Sequence, residues 1–389
     1  MSGPRVLMVT GAYPPETSGA ALQCRQLIAS LRRDAEFAVL TTTTDPRLAA
    51  HDRVDDTDVW RVYLDPTSAS SKAAASVRMG AAFLQWRERF DLVHLHGFSQ
   101  KSMLLIALAR IFGKRILIKL TSVGHDDAVS MRQEGAIAFR FYASADRFIG
   151  VSPHFERLHN LAGVAPSGFR LVPNGVDLVR FRDAPPPERR AARLSLGLPI
   201  DDPVVLFVGF FSHEKRPDLL YRAWATLAER GIRSTLVLVG ASRSTYYEID
   251  AAMIDGIRRD VEARGLQSQV VFVERTTEIE RYYRAADIFA LPTLREGLPN
   301  ALLEAMASGI PSVITRLEGV TDWVVEDGVN GLLMPPNDER ALEEALARLI
   351  GSRELRARLG RAARSRAEHF SAERTAERTL SVYHELISG

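Results

Sequence analysis

One stretch of the sequence, residues 286–315, constrains the fold more than any other. It consists of the residues ADIFALPTLREGLPNALLEAMASGIPSVIT. Two apolar runs of strand length, 288–291 and 312–315, enclose a short segment rich in Ala, Leu and Met, which favour a helix. A strand, a helix and a second strand in so short a stretch predict a parallel crossover, the βαβ unit of an α/β protein.

The start of this helix is the first candidate ligand site. Pro299 suits the first helical turn because it lacks an N–H group, and Gly297 lets a ligand approach the backbone. The free N–H groups and the positive end of the helix dipole favour an anion there, most naturally phosphate. Glu296, beside this helix start, could accept hydrogen bonds from sugar hydroxyls.

A structural interpretation of the same helix also fits the sequence. Asn300, Glu304 and Ser308 lie four residues apart and could be the single polar stripe of a helix otherwise made of apolar residues. The spacing alone leaves both interpretations open.

A second strand, loop and helix follow the same plan. Residues 204–208 predict a strand, Gly209 and a polar loop come next, and a helix is expected from about Pro217. Lys215 lies just before that helix, where a compact positive charge suits a diphosphate. The chain has only five lysines, and its other 45 basic residues are arginines. A lysine at this position is therefore informative.

The N-terminal part predicts a Rossmann-like domain. Residues 6–10 form an apolar run, a Gly/Pro loop covers 11–19, and Leu22, Leu27 and Leu31 mark a helix. No GxGxxG motif is present. Alternating with helical patterns, further strands are predicted at 37–41, 59–64, 92–95, 116–120 and 148–151, and later in the chain at 235–239 and 270–273. The fold class is therefore α/β with mostly parallel sheets.

Length and composition narrow the class of protein. A chain of 389 residues with 46% hydrophobic content predicts two domains. The net charge of +2 gives no field that would grip nucleic acid. The one cysteine fits a reducing cytoplasm, and no apolar run is long enough to span a membrane. Residues 182–193, RDAPPPERRAAR, have the composition of a linker, so we place the domains at 1–183 and 184–370.

Several polar residues of the N-terminal part keep two interpretations. His94 and His96 share one face of a strand, and His96 lies at its tip; it could contact a ligand or be a packed histidine. The pair Asp56 and Asp58 could suggest a metal site, but its polar surroundings indicate a solvated loop. The helix predicted at 72–90 could rest on an anionic bilayer, although packing of its apolar stripe against the sheet is favoured.

The central motif resembles a known family. EGLPNALLEAMASGIPSV is similar to the Glu-x7-Glu motif of retaining GT-B glycosyltransferases of family 4 (glycosyl transferases group 1). The segments PNGVD and GVTDWVVEDGVNGLLMPP also resemble that family. The resemblance implies a GT-B fold, in which two Rossmann-like domains face each other across a cleft. The C-terminal helix, 371–389, is expected to cross back to the N-terminal domain.

The resemblance also assigns candidate residues. It implies catalytic roles for Lys215, Glu296 and His125, and acceptor-side positions for His96, Asp126 and Asp127. Donor binding is expected from Gly19, Lys215, Glu296, Gly297, Leu298, Pro299, Asn300, Glu304, Val273 and Arg275. Two positions depart from the family pattern: Phe210 stands where an arginine is usual, and Thr121 where many relatives have a histidine. Arg216, Arg243 or Arg295 could supply the charge missing at Phe210.

The implied function is retaining transfer of a sugar from a nucleoside-diphosphate-sugar to an acceptor hydroxyl, without a metal or another cofactor. The expected setting is polysaccharide, glycolipid or glycoconjugate biosynthesis in the cytoplasm, with peripheral contact of the N-terminal domain to the inner face of the membrane as one option. UDP, GDP and ADP stay open as the nucleotide. Two alternatives are a GT-B sugar-nucleotide epimerase and a non-catalytic subunit that binds a sugar nucleotide.

Overall fold

The computed structural model describes residues 3–16, 18–241, 249–274 and 276–388. It divides into two compact units. The first contains Met1–Gly175 and Ala372–Gly389, and the second contains Val176–Ser371. The boundary placed after residue 183 from the sequence therefore falls within the second unit.

The first unit alternates strands and helices. Its strands are β1 (Arg5–Thr10), β2 (Glu36–Thr43), β3 (His51–Val54), β4 (Thr57–Tyr63), β5 (Leu92–His96), β6 (Arg115–Leu120), β7 (Arg147–Gly150) and β8 (Phe169–Leu171). Its helices are α1 (Gly19–Leu31), α2 (Ala69–Trp86), α3 (Gln100–Ile111), α4 (Ala128–Glu134), α5 (Ala136–Ala143), α6 (Pro153–Leu161) and the terminal helix Ala372–Ser388.

Within the described residues these strands form one sheet in the order β3-β4-β2-β1-β5-β6-β7-β8, parallel except for the β3/β4 pair. The terminal helix packs on this sheet beside α1, as the sequence predicts. Tyr383 is fully buried there, and its hydroxyl lies 2.7 Å from His94 Nδ1. Burial of the imidazole lowers the pKa of His94 to about 3, so His94 is a neutral core residue.

The segment around Asp56 and Asp58 differs from the solvated loop expected from its polar residues. β3 and β4 form an antiparallel hairpin whose turn holds Asp55 and Asp56 at φ 49° and 63°. Asp tolerates this left-handed conformation better than most residues, so no glycine marks the turn in the sequence. Asp58 lies in β4 and binds the Arg89 guanidinium at 2.7 Å.

The apolar stripe of α2 and the residues after it is buried. Met79, Phe83, Trp86 and Phe90 are at most 5% exposed. Packing against the sheet, rather than rest on a bilayer, is therefore the role of this stripe. No helix among the described residues is both long enough and apolar enough to cross a membrane.

The second unit has the same plan. Its strands are β9 (Val204–Val208), β10 (Thr235–Val239), β11 (Val270–Val273), β12 (Ile288–Leu291), β13 (Ser312–Thr315) and β14 (Leu332–Met334). Its helices are α7 (Pro186–Ser195), α8 (Pro217–Glu229), α9 (Ala251–Ala263), α10 (Ile279–Ala285), α11 (Asn300–Ala307), α12 (Thr321–Val324), α13 (Glu339–Gly351) and α14 (Arg353–Ala367). The strands pair in parallel in the order β11-β10-β9-β12-β13-β14.

The proline-rich segment expected to be a linker is instead the helix α7. Pro186 and Pro187 occupy its first turn, where a missing N–H does no harm. Arg193 of α7 is buried, and its guanidinium donates to Ala285 O (2.9 Å) and Ile200 O (2.7 Å) and pairs with Asp287. These contacts hold the segment against α10 and the start of β9, which composition alone does not reveal.

Arg193→Met should therefore destabilise the second unit strongly. The substitution leaves several carbonyls without their buried donor, while Arg189 still pairs with Asp287 at 3.1 Å; such a loss typically costs about 1–3 kcal/mol. Arg190→Met, at an exposed position of the same helix, is the matched control and should change stability by less than about 0.5 kcal/mol. Chemical denaturation of both variants measures the difference, and equal effects would show that the Arg193 network contributes nothing.

Candidate functional site

The candidate donor site lies at the carboxyl edge of the sheet in the second unit. β9 and β12 are parallel neighbours, with Val205 opposite Ile288 and Leu206 opposite Phe289. The loops that follow them, 209–216 and 292–299, therefore emerge at the same edge, where open α/β sheets bind ligands. Each loop leads directly into a helix, α8 or α11.

The two loops bring Lys215 and Glu296 into contact. Lys215 Nζ donates to Glu296 Oε1 at 2.5 Å, although the two residues are 81 positions apart. The Glu296 side chain is 8% exposed and that of Lys215 is 21% exposed. A partly buried ion pair needs its geometry held, and Lys215 N is fixed by a hydrogen bond to Ser212 O (3.2 Å).

Backbone contacts join the same two loops. Glu214 O accepts a hydrogen bond from Leu294 N (2.7 Å) and another from Thr293 Oγ1 (3.1 Å). The Glu214 carboxylate pairs with the Arg295 guanidinium. The loop charges thus form two neutral pairs, Lys215 with Glu296 and Glu214 with Arg295. Glu214 is a residue of this site that the sequence did not single out, since nothing in its local pattern marks its contacts.

Two of the arginines considered as substitutes for a cation at Phe210 already have carboxylate partners. Arg295 pairs with Glu214, and Arg216 donates to both carboxylate oxygens of Asp218 at 3.0 and 3.3 Å and also binds Asn337. Arg216 adopts φ +53° at the start of α8, a left-handed conformation that is uncommon for a side chain of this size. The third candidate, Arg243, lies outside the described residues.

Glu304 lies on α11 and contacts α10. The Tyr283 hydroxyl donates to Glu304 Oε2 at 2.9 Å, and Tyr283 itself is 1% exposed. Burial raises the pKa of Glu304 above its usual range. The hydrogen bond from Tyr283 and the positive charge of Arg180 oppose part of that shift in pKa, and the charge of Glu280 adds to it. Sequence reasoning missed Tyr283, because its distance from Glu304 depends on how α10 packs against α11.

The other predicted donor residues of this unit occupy the same edge. Gly297, Leu298 and Pro299 are buried ahead of α11, and Asn300 is its first residue. Val273 ends β11, and its carbonyl accepts a hydrogen bond from Gly240 N at 2.9 Å. A side chain at Gly240 would collide with Gly209 O, so the ends of β9 and β10 approach closely only because glycine is there. Arg275 lies outside the described residues.

In the first unit, Gly19 and His96 also lie at the carboxyl edge of the sheet. Gly19 is the first residue of α1, and Ser18 caps this helix by accepting a hydrogen bond from Ala21 N. His96 ends β5, is 8% exposed and stacks on His94 with ring centres 4.5 Å apart. Burial is the main reason that the pKa of His96 lies well below its ordinary value, and the positive charge of Lys119 adds to the shift in pKa. His96 is therefore neutral.

The loop after β6 holds the remaining predicted residues. Asp126 accepts hydrogen bonds from Thr121 N (2.8 Å), Thr121 Oγ1 (2.7 Å) and Ser122 N (2.9 Å). Asp127 caps α4 by accepting from the N–H groups of residues 129 and 130. Both aspartates are buried, so they shape the loop, while His125 between Gly124 and Asp126 is exposed. Burial raises the pKa of Asp126 to about 6.

No cluster of three or more His, Cys, Asp or Glu side chains suited to a metal ion occurs in the described part of the chain. The side chains brought together in the second unit can instead bind a phosphorylated sugar. Lys215 and the start of α8 supply positive charge, whereas Glu296 and Glu304 offer carboxylate oxygens to hydroxyl groups.

Comparison with protein families matches both units. The profile of the glycosyl transferases group 1 family matches residues 188–366, and that of the glycosyl transferase 4-like domain matches residues 18–175. The D-inositol 3-phosphate glycosyltransferase of Saccharomonospora viridis is 33% identical over 77% of this chain and 71% of that protein. The protein of the same name from Kineococcus radiotolerans is 31% identical over 77% and 72%.

Solved structures share the fold. Anabaena HepE in complex with UDP and glucose has a TM-score of 0.80 and 20% identity, covering 98% of this chain and 100% of that one. Sucrose-phosphate synthase from Thermosynechococcus elongatus has a TM-score of 0.83 and 23% identity, with 99% of both chains covered. The two parallel α/β units thus have the GT-B fold, as the sequence predicts.

The raised pKa of Glu304 predicts a pH-dependent stability difference. A carboxyl group whose pKa is raised by folding destabilises the folded chain above that pKa, and the penalty disappears as the pH falls towards the pKa of the unfolded chain, about 4.3. Glu304→Gln should therefore be more stable than the wild type at pH 7, and the difference should vanish near pH 4. Denaturation across this range measures it.

Glu326→Gln, at an exposed position of the same unit, is the control and should change stability by less than about 0.5 kcal/mol. A Glu304→Gln difference that is the same at pH 7 and pH 4 would contradict the interpretation, because it would not come from ionisation.

Proposed function

The chain belongs to the glycosyl transferases group 1 family, and on that premise we propose that it transfers a sugar from a nucleoside-diphosphate-sugar to an acceptor hydroxyl with retention at the anomeric carbon. The observation that carries the proposal is the contact between Lys215 and Glu296 at the start of two helices. A cation and a carboxylate held side by side suit a ligand that has a phosphate next to a sugar.

Lys215 acts on the leaving group in this proposal. The bond between the anomeric carbon and the phosphate oxygen breaks, negative charge collects on the diphosphate, and the sugar becomes oxocarbenium-like. An ammonium group and the N–H groups at the starts of α8 and α11 stabilise that charge as it develops. Lysine has three N–H donors, so Lys215 can hold a phosphate oxygen and Glu296 together.

Glu296 and Glu304 bind rather than exchange protons. Glu296 accepts hydrogen bonds from sugar hydroxyls, and Glu304, oriented by Tyr283, accepts them from the ribose. The acceptor oxygen forms its bond to the anomeric carbon on the face that the diphosphate leaves. Its proton passes to the departing phosphate oxygen, which is why no protein base is required. His125 is our candidate contact to the reacting sugar or the acceptor.

The first unit is the acceptor side in this proposal, and Gly19 with the start of α1 contributes to the donor phosphates. The residues assigned to the reaction need no metal ion and no further cofactor, because Lys215 and the helix starts provide the positive charge. We place the reaction in the cytoplasm, in the synthesis of a polysaccharide, glycolipid or other glycoconjugate, in keeping with the single cysteine, Cys24, which is free and buried.

A transfer assay tests the function. The purified chain is incubated with UDP-, GDP- and ADP-sugars and acceptors that include D-inositol 3-phosphate, and the product anomer is read by NMR. Retention of the donor configuration is expected. Lys215→Ala should lower turnover roughly a hundredfold or more, since a preorganised donor to developing charge supplies about 2.7–4 kcal/mol.

Lys72→Ala is the control for this loss, because Lys72 is an exposed lysine of α2. Inversion at the anomeric carbon would refute the retaining mechanism. Wild-type turnover by Lys215→Ala would refute the role of Lys215.

Substitution of each of the two carboxylates should affect binding of a different part of the donor. Glu304→Gln should weaken binding of the free nucleoside diphosphate and of its sugar alike, because both contain the ribose. Glu296→Gln should weaken only the sugar nucleotide. Calorimetry with both ligands on each variant measures this, and identical losses for the two variants would contradict the division of roles.

A further inference from the structure

Lys101 is a lysine to which the reaction above assigns no part. It is the second residue of α3, directly after the carboxyl end of β5, in the unit proposed to bind the acceptor. The chain uses arginine for 45 of its 50 basic residues, so a lysine at the ligand-binding edge of a sheet is an unusual choice.

The contacts of Lys101 join three neighbouring strand ends. Its Nζ donates to Thr42 Oγ1 at 3.0 Å, and the Thr42 hydroxyl donates to Gly11 O at 2.8 Å. Thr42 lies in β2, Gly11 directly follows β1, and β2, β1 and β5 are adjacent in the sheet. A Cβ atom placed on Gly11 would have no neighbour within 4 Å, so the space beside Gly11 is open.

The ammonium group of Lys101 has no carboxylate partner among the described residues. Burial alone lowers the pKa of Lys101 to about 8, and no negative charge opposes that shift in pKa. Thr42 is a neutral partner and takes one of three N–H groups. The positive end of the α3 dipole lies at the same edge and adds to the unbalanced charge.

An oxyanion satisfies these features together. It accepts hydrogen bonds from the N–H groups of Lys101 that Thr42 does not use, and it neutralises a charge that a sugar hydroxyl would leave unbalanced. In the second unit, the structural arginine Arg193 pairs with Asp287 and with carbonyl groups.

We propose that Lys101, held beside Gly11 by Thr42, binds an oxyanion, phosphate or carboxylate, that the acceptor carries. This inference rests on the proposed function, because it takes the first unit to be the acceptor side. Lys101 determines which acceptors are accepted, and it plays no part in the departure of the diphosphate.

Lysine side-chain NMR tests the proposal on the full chain. With only five lysines, isotope labelling of lysine gives a spectrum in which each Cε–Nζ signal can be assigned from single Lys→Arg variants. Inorganic phosphate, glycerol 3-phosphate and acetate are added at constant ionic strength, with sodium chloride as the reference. The Lys101 signal should move and its pKa should rise by about one unit or more, because a bound anion favours the charged form.

Lys114 is the matched control within the same unit. It lies at the opposite edge of the sheet, where its Nζ donates to Phe90 O at 2.7 Å. Its signal should not respond. In a Lys215→Gln background, which removes the phosphate site proposed in the second unit, Lys101→Gln should weaken phosphate binding about tenfold, the loss of one charge-assisted hydrogen bond, while Lys114→Gln leaves it unchanged.

Three results would overturn the proposal: a Lys101 signal that does not move, one that moves equally with sodium chloride, or phosphate that shifts the Lys215 signal alone. The outcome is separable from that of the transfer assay. If the chain transfers no sugar but Lys101 binds phosphate, the proposed function fails and the anion site stands. If the chain transfers sugar but the Lys101 signal does not respond, the anion site fails and the proposed function stands.

Discussion

The parallel pairing of β9 with β12 is the constraint on which the candidate donor site depends. Parallel strands end at the same edge of a sheet, so the loops after these strands meet there although about 80 residues separate them. The pairing is central in the sheet, with β10 on one side and β13 on the other. The core thus brings Lys215 near Glu296, and the hydrogen bonds between the two loops then fix their positions.

The charges at this edge explain how such a site remains stable. Buried or half-buried charges destabilise a fold unless each has a partner, and here Lys215 pairs with Glu296 while Glu214 pairs with Arg295. In the proposed function Lys215 keeps this partner when a phosphate binds, because its ammonium group has three N–H donors. Glu304 differs from these residues. Burial disfavours its charged form, and the partner that donates a hydrogen bond to it is the neutral Tyr283. A carboxylate kept at this disadvantage is what a binding role would require.

The sequence predicts those parts of the fold that depend on local pattern. The apolar runs placed β9, β12 and β13 at the residues where the structure has them, and the motif 296–304 indicated the family. Patterns fail where distant residues decide the outcome. Composition predicted a linker where the structure has α7, because composition cannot reveal that Arg193 binds Asp287. The β3/β4 hairpin was hidden because Asp55 and Asp56, rather than glycine, take the left-handed turn.

The same distinction applies to the site. Lys215 and Glu296 could be singled out from the residues next to them, but Tyr283 and Glu214 could not, because their roles depend on how helices and loops pack. The family resemblance implied acceptor-side positions for Asp126 and Asp127, which follow β6 in the chain. The structure places them in that loop, where their oxygens hold its backbone.

Arginine and lysine occupy different kinds of position in this chain. Arginines with several backbone contacts stabilise the fold, since a guanidinium has five N–H groups in a fixed geometry. Arg193 donates to several carbonyls, and Arg364 donates to Phe181 O and Leu178 O. Lys215 and Lys101 instead lie at the carboxyl edges of the two sheets. A lysine ammonium can rotate to a new partner and can lose its proton, whereas a guanidinium does neither readily. Lys215 and Lys101 are the two lysines that we propose bind ligands, and an exchange for arginine at either position would not be conservative.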